Sequence, residues 1–162
     1  MTPLENFQSD LSAARTETEA FDALCALTKA TVGAKLFTVM TADLQAMQSR
    51  RAYTDDPANY PTSGTKPITV NRWFEQVHGR RQSFVANTLE DISTVFPDYP
   101  LIGQLGCGSV VNLPVILGGD MVGTVNMLDV EGYYTPERVQ MVHDLLTLPA
   151  MATMAVAKRL AA

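Results

Sequence analysis

The chain has 162 residues, a hydrophobic content of 46% and a charged content of 18%, the composition of a folded protein with a buried core, and its size predicts one domain over residues 1–162. With 12 Lys and Arg against 17 Asp and Glu the net charge is −5, which argues against a nucleic-acid partner because such proteins concentrate basic residues on one face. The two cysteines, Cys25 and Cys107, lie far apart and show no disulfide framework or zinc-type spacing.

The N-terminal MTPLENFQSD has neither the basic nor the apolar region of a signal peptide. No apolar run approaches the ~20 residues that span a bilayer. A cytoplasmic protein with no membrane partner is the expectation. Arg50-Arg51 and Arg80-Arg81, the basic pairs, are read as solvated surface.

Residues 4–30 predict helix, since Phe21, Leu24, Cys25 and Thr28 recur at helical spacing. Thr16-Glu17-Thr18-Glu19 has the form of a capping box and marks a possible restart. Gly33 ends the helix. Lys35 to Thr41 and Met47 to Tyr53 predict two strands joined by a turn at 43–46. The stretch DDPANYPTSGTKP carries Pro57, Pro61 and Pro67, so no regular element is expected through it. A loop of that length is a candidate lid.

Thr69 to Arg81 predicts an amphipathic helix with Thr69 as its cap and Trp73 and Val77 on one face. A short strand at Ser83 to Ala86 follows, then a helix capped by Thr88 and another turn or two over Asp98 to Leu105. Val110 to Leu117 and Met121 to Leu128 predict a hairpin about Gly118-Gly119, a pair suited to a turn that needs φ > 0 twice. Both strands are near-continuously apolar and are expected to be covered on both faces. Thr135-Pro136-Glu137 starts a last helix, with Pro149 in its interior.

Asn112 and Asn126 interrupt the apolar hairpin. A buried amide needs a hydrogen-bond partner, which is either loop backbone or a ligand. A strict two-residue turn places these two side chains on opposite faces, whereas a one-residue bulge places them on the same face.

The run Ser109-Val110-Val111-Asn112-Leu113-Pro114-Val115, then Gly119, Met121-Val122-Gly123-Thr124-Val125-Asn126-Met127, and the helix start at Tyr134-Thr135-Pro136-Glu137 resemble the GAF domain family of PAS-like sensors. The motif match covers 107–145, and the order of elements agrees along the chain. The resemblance implies an α+β fold: a central antiparallel sheet of five to six strands, terminal helices packed on one face, and loops and short helices covering the other, with a ligand cavity under them. It also favours the bulge.

The enzymatic relatives in that family, the free methionine sulfoxide reductases, imply carboxylates at the positions of Val110, Asn126 and Leu128 and a catalytic cysteine near Gly103. This chain has none of them there. Cys107 is the residue such an enzyme would have to use, and no nearby cation or helix N-terminus is evident to lower its pKa. Cys107 is not followed by the histidine of a bilin motif, and the Asn-Lys motif of cyclic-nucleotide members is absent. Gly103, Gly106 and Gly108 precede a strand rather than a helix, which is the wrong setting for a dinucleotide loop. His78 and His143 are read as single core or surface histidines.

The resulting expectation is a non-catalytic small-molecule sensor, with a redox enzyme using Cys107 and a structural module with a vestigial pocket as the two alternatives. Candidate ligand-binding residues are Tyr53, Tyr60, Lys66, Trp73, Phe96, Ser109, Asn112 and Asn126. No metal ligand or cofactor is identified. The expected partners are an unidentified small molecule and a second copy of the chain, bound through the terminal helices, where Met141, Met151 and Met154 offer soft apolar surface.

Overall fold

Thr2 opens the first helix, α1 (Pro3–Ala13), with a reciprocal cap: its hydroxyl accepts from the Glu5 amide, and the Glu5 carboxylate accepts from the Thr2 amide. The computed structural model describes residues 1–161. The chain breaks at 14–16, and Thr16 caps α2 (Glu17–Ala30) by accepting from the Glu19 amide over 3.1 Å. The helix predicted over 4–30 is therefore two helices, and the Thr16 signal marks their boundary. Gly33 ends α2, its amide donating to the Thr28 carbonyl.

β1 (Leu36–Asp43) and β2 (Gln48–Thr54) form an antiparallel hairpin, with the Asp43 carboxylate accepting from the Gln45 and Ala46 amides to set the turn. Val39 pairs with Tyr53 and Met40 with Arg51, so Ala52 is bulged. The proline-rich loop ends in a two-residue strand, β3 (Lys66–Pro67), on the edge of β2. Pro67 thus lies in a regular element, contrary to expectation. An edge strand tolerates proline because its missing N–H need not meet a neighbour.

Asn71, not Thr69, caps α3 (Arg72–Phe74), its side-chain oxygen accepting from the Phe74 amide over 2.9 Å. α3 runs directly into a π turn over Glu75–Gly79. β4 (Phe84–Ala86), α4 (Leu89–Ser93) and α5 (Tyr99–Gln104) follow, α4 capped by Thr88 as expected. The hairpin of β5 (Ser109–Leu117) and β6 (Asp120–Asp129) turns through Gly118 and Gly119 at φ 57° and 87°. α6 (Pro136–Ala161) completes the described chain, with Thr135 accepting from the Arg138 amide at its start.

The six strands form one antiparallel sheet in the order β3-β2-β1-β6-β5-β4, with β1 and β6 at its centre. α1, α2 and α6 cover one face. Phe21 and Leu24 of α2 and Leu146 of α6 meet Phe37, Val39, Val125 and Met127 of the central strands there. Each such side chain contributes roughly 1.5–3 kcal/mol by leaving water. The short helices and the loop between β2 and β3 cover the other face over a second core containing Leu36, Val77, Ile92, Ile102 and Val110. The fold is α+β, with the layers the sequence predicts.

α6 spans 26 residues and is long and apolar enough to cross a membrane by length and composition, although it contains no uninterrupted apolar run of that length. Its buried residues, Val142, Leu146, Ala150, Thr153, Met154 and Ala157, pack into the helix-side layer. Met154 is part of this core and is not available as interface surface.

Candidate functional site

The β5–β6 register carries a bulge: Ile116 faces Met121 while Val115 faces Gly123, leaving Val122 extra. Gly123 lies opposite Thr41 of β1. A Cβ there would run into the Met40 carbonyl oxygen and the Met154 methyl. The bulge brings Asn112 opposite Asn126, Asn126 opposite Thr38, and Thr38 opposite Thr54. One row of four polar side chains therefore crosses four strands on the face away from the terminal helices, all of them buried.

Three donors run along this row in one direction. The Trp73 indole Nε1 donates to Asn112 Oδ1 over 3.0 Å, Asn112 Nδ2 donates to Asn126 Oδ1 over 2.7 Å, and Asn126 Nδ2 donates to the Thr38 hydroxyl over 3.2 Å. Such a chain polarises its own members, and it fixes the indole against the sheet. The amides of Asn112 and Asn126 are occupied by protein partners, and neither residue lines either of the two cavities described below. They position Trp73.

One step along the same face lies a cavity of about 170 Å³ between β1, β6 and the α3 region. Trp73 and Phe96 form its aromatic wall, with ring centroids 5.8 Å apart in an edge-to-face arrangement. Thr124 of β6, two residues from Asn126 and so on the same face, forms its floor. His78 completes it, 5.3 Å from the Trp73 ring and stacked on Phe74 at 5.0 Å.

The π turn accounts for His78. Arg80 N donates to the Glu75 carbonyl, five residues back, so the extra residue carries position 78 round to the Trp73 side, where ordinary helical spacing would have placed only Val77. Two buried side-chain atoms among the residues lining this cavity have no hydrogen-bond partner, His78 Nδ1 and Thr124 Oγ1. Burial pushes the His78 pKa down, which keeps the imidazole neutral.

The remaining predicted site residues lie elsewhere. Tyr53 faces the terminal helices, because the Ala52 bulge sends Tyr53 to one side of the sheet and Arg51 to the other. Its hydroxyl donates to Asp22 over 2.6 Å. Ser109 alternates with Val110 and so faces the helix side, donating to the Asp129 carbonyl over 3.2 Å. Lys66 is exposed on edge strand β3 and does not line the cavity.

Tyr60 belongs to the second core and pins the candidate lid. Its hydroxyl donates to Asp98 over 2.5 Å, and the Arg51 guanidinium lies 3.8 Å over its ring. Arg51 also donates to the Pro61 carbonyl over 2.9 Å, which fastens the loop to β2.

Cys107 lies buried in the second core, and its thiol pKa is pushed up to about 11 by burial, only partly opposed by the Lys35 charge. A thiol so protonated is a poor nucleophile at neutral pH. Among the described residues, no three His, Cys, Asp or Glu side chains are grouped to hold a metal ion.

A larger groove of about 740 Å³ lies at the end of the sheet, between the β1–β2 and β5–β6 turns and the last turns of α6. Its charges balance, with Arg50, Arg81 and Lys158 against Glu17, Asp43 and Asp120. Glu17 already pairs with Arg50 at 2.5 Å, and Arg81 donates to the Gly119 carbonyl over 2.5 Å.

No family model matches this sequence. No curated protein matches it either. Solved structures do match the fold. The GAF domain of a two-component sensor histidine kinase from Bacillus halodurans superposes with a TM-score of 0.69 at 12% identity, covering 88% of this chain and 97% of that one. The GAF domain of a phosphoenolpyruvate-protein phosphotransferase from Coxiella burnetii gives 0.66 at 16% identity, covering 96% and 94%. The free methionine-R-sulfoxide reductase from Neisseria meningitidis, solved with its substrate, gives 0.60 at 15% identity, covering 97% and 85%. The chain has a GAF-like fold.

Proposed function

We propose that this protein is a non-catalytic, cytoplasmic small-molecule sensor in which the cavity between Trp73, Phe96, His78 and Thr124 receives the ligand. The single observation that carries this reading is a cavity of about 170 Å³ on the sheet face away from the terminal helices, walled by Trp73 and Phe96, with the Trp73 indole held in place by Asn112. Small-molecule sites are mostly apolar clefts with a few polar side chains placed among aromatic ones, which describes this cavity. Two solved neighbours, from a sensor histidine kinase and a methyl-accepting chemotaxis protein, are parts of signalling proteins, which agrees with a sensing role. The buried Cys107, with its raised pKa, speaks against the redox alternative.

The partner proposed is a second copy of the chain. Met141, Leu145 and Leu148 form an exposed apolar stripe on α6 at a four-then-three spacing, continued by the exposed Ala152 and Ala155. Glu137 stands at one end of the helix and Lys158 and Arg159 at the other, so an antiparallel pair of α6 helices brings opposite charges together. A ligand that bound one packing of that pair better would shift the balance between arrangements.

The test is to purify the protein without denaturant, unfold it, and identify released small molecules by mass spectrometry. A compound released in about one-to-one ratio supports the sensor. An empty protein that is also unshifted in melting temperature by a metabolite library supports the vestigial pocket instead.

A further inference from the structure

From Pro57 to Lys66 the loop between β2 and β3 buries one side chain, that of Tyr60, and every other residue there is exposed or half-buried. A segment with so little buried apolar surface opens at a lower free energy than the strands it joins. The interactions that keep it closed are concentrated around Tyr60.

Arg51 supplies most of them. The Ala52 bulge turns Tyr53 to the terminal helices and Arg51 to the loop side of the sheet. The Arg51 amide donates to the Ser63 hydroxyl over 2.9 Å, and the Ser63 amide donates to the Arg51 carbonyl over 3.1 Å. The guanidinium donates to the Pro61 carbonyl over 2.9 Å and lies 3.8 Å over the Tyr60 ring, a cation–π contact. It also stands 3.9 Å from the Asp98 carboxylate.

Asp98 supplies the rest from a different part of the chain. It precedes α5 yet makes no side-chain cap there. Its carboxylate instead accepts from the Tyr60 hydroxyl over 2.5 Å. A hydrogen bond to a carboxylate is worth more than a neutral one. Inside this polar rim, Tyr60 shares the second core with Leu36, Cys107 and Val110, and the Cys107 thiol is close enough to act electrostatically on the Tyr60 hydroxyl.

We infer that the loop from Pro57 to Lys66 is a gate over the second core and that Arg51, Tyr60 and Asp98 are its latch. When the Tyr60–Asp98 bond and the Arg51 contacts release, the loop leaves as one unit and carries the Tyr60 ring out of the core. The end of the core that holds Cys107 is then open to solvent, while the sheet and the terminal helices stay folded. This gate is independent of the Trp73 cavity, which Tyr60 does not line.

The two cysteines allow a direct test on the full chain. Cys107 lies in the core beneath the gate, and Cys25 lies in the other core under the terminal helices. The protein is treated with excess N-ethylmaleimide, and the modified cysteine is assigned by peptide mass spectrometry over time. Cys107 is expected to react faster than Cys25. Tyr60→Phe keeps the ring and removes the hydroxyl; it should speed Cys107 labelling by about tenfold or more and leave Cys25 within about twofold. Asp98→Ala should act on Cys107 in the same direction.

Hydrogen exchange gives a second readout. The Tyr60 and Ser63 amides, which donate to the Asp56 and Arg51 carbonyls, should exchange faster in Tyr60→Phe by the factor seen at Cys107. Cys107 labelling unchanged in both variants overturns the latch. Cys107 reacting no faster than Cys25 in the wild type, or both accelerating together in the variants, overturns the gate, because the opening is then that of the whole fold.

Discussion

Asn112 and Asn126 face each other across the β5–β6 ladder, and the side-chain nitrogen of the first donates to the side-chain oxygen of the second over 2.7 Å. The contact links the cavity wall to the centre of the sheet, because Asn112 also holds the Trp73 indole and Asn126 also reaches Thr38. Asn126→Leu would leave Asn112 Nδ2 buried without an acceptor. We expect a loss of about 1–3 kcal/mol in urea unfolding and a change in Trp73 emission, while the protein remains folded. An unchanged emission spectrum would show that the chain of amides does not hold the indole.

Gly123→Ala tests the bulge. A methyl group there meets the Met40 carbonyl, which belongs to the central strand and cannot move aside cheaply. A cost of about 2 kcal/mol or more is expected, read as a fall of roughly 4–8 °C in melting temperature for a chain of this size. Leu117→Ala, beside the turn of the same hairpin and only partly buried, should cost less.

Alkaline pH should destabilise the fold, in part through the cysteines, alongside Tyr53, Tyr60 and Tyr134, whose hydroxyl pKa values burial also raises. Burial pushes the pKa of both Cys25 and Cys107 up from 9.0 to about 11. Between those values the unfolded chain releases protons that the folded chain retains, so stability is full below pH 9 and falls as pH rises toward 11. Urea unfolding at a series of alkaline pH values should show this slope, and it should be shallower in a Cys25→Ala, Cys107→Ala variant.

His78 gives the opposite sign at the acid side. Its folded pKa is depressed below the ordinary 6.5 by burial, so the unfolded chain takes up protons first as pH falls. Stability is then full above pH 6.5 and declines as pH drops toward the folded value. His78→Gln should remove that part of the decline, as measured by melting temperature across a mildly acidic series.

The exposed α6 stripe makes a separate claim. Leu148, at 73% exposure, is the most exposed of its apolar members. Leu148→Glu should leave the melting curve of a monomer unchanged within about 0.5 kcal/mol and abolish self-association in analytical ultracentrifugation. A wild-type chain that sediments as a monomer at every concentration would exclude this interface.

The layered fold was readable because its signals are local. The Thr16 and Thr88 caps, the Gly118-Gly119 turn and the apolar run through Val110 to Leu117 each report the geometry of their own neighbourhood. The bulge that pairs Asn112 with Asn126 was also within reach, because only one register puts both amides where they can meet.

The cavity was not readable to the same degree. Tyr53 reads from the sequence as a ligand-binding candidate, and the Ala52 bulge turns it to the helix side instead. His78 was hidden by a π turn, a backbone change with no sequence rule strong enough to announce it. Thr124 could have been found from Asn126 by strand alternation, but a single threonine in a strand draws no notice until its hydroxyl proves to be unpartnered. Unpaired polar atoms are a property of packing, which the order of residues does not display.

The measurement that tests the sensor reading most directly is an amide correlation NMR spectrum of the labelled protein, with and without a deproteinised metabolite extract. Perturbed resonances are expected to cluster at Gly123, Thr124, His78 and the Trp73 indole. Perturbations centred instead on the groove at Arg81, Asp120 and Lys158, or none at all, would contradict that reading.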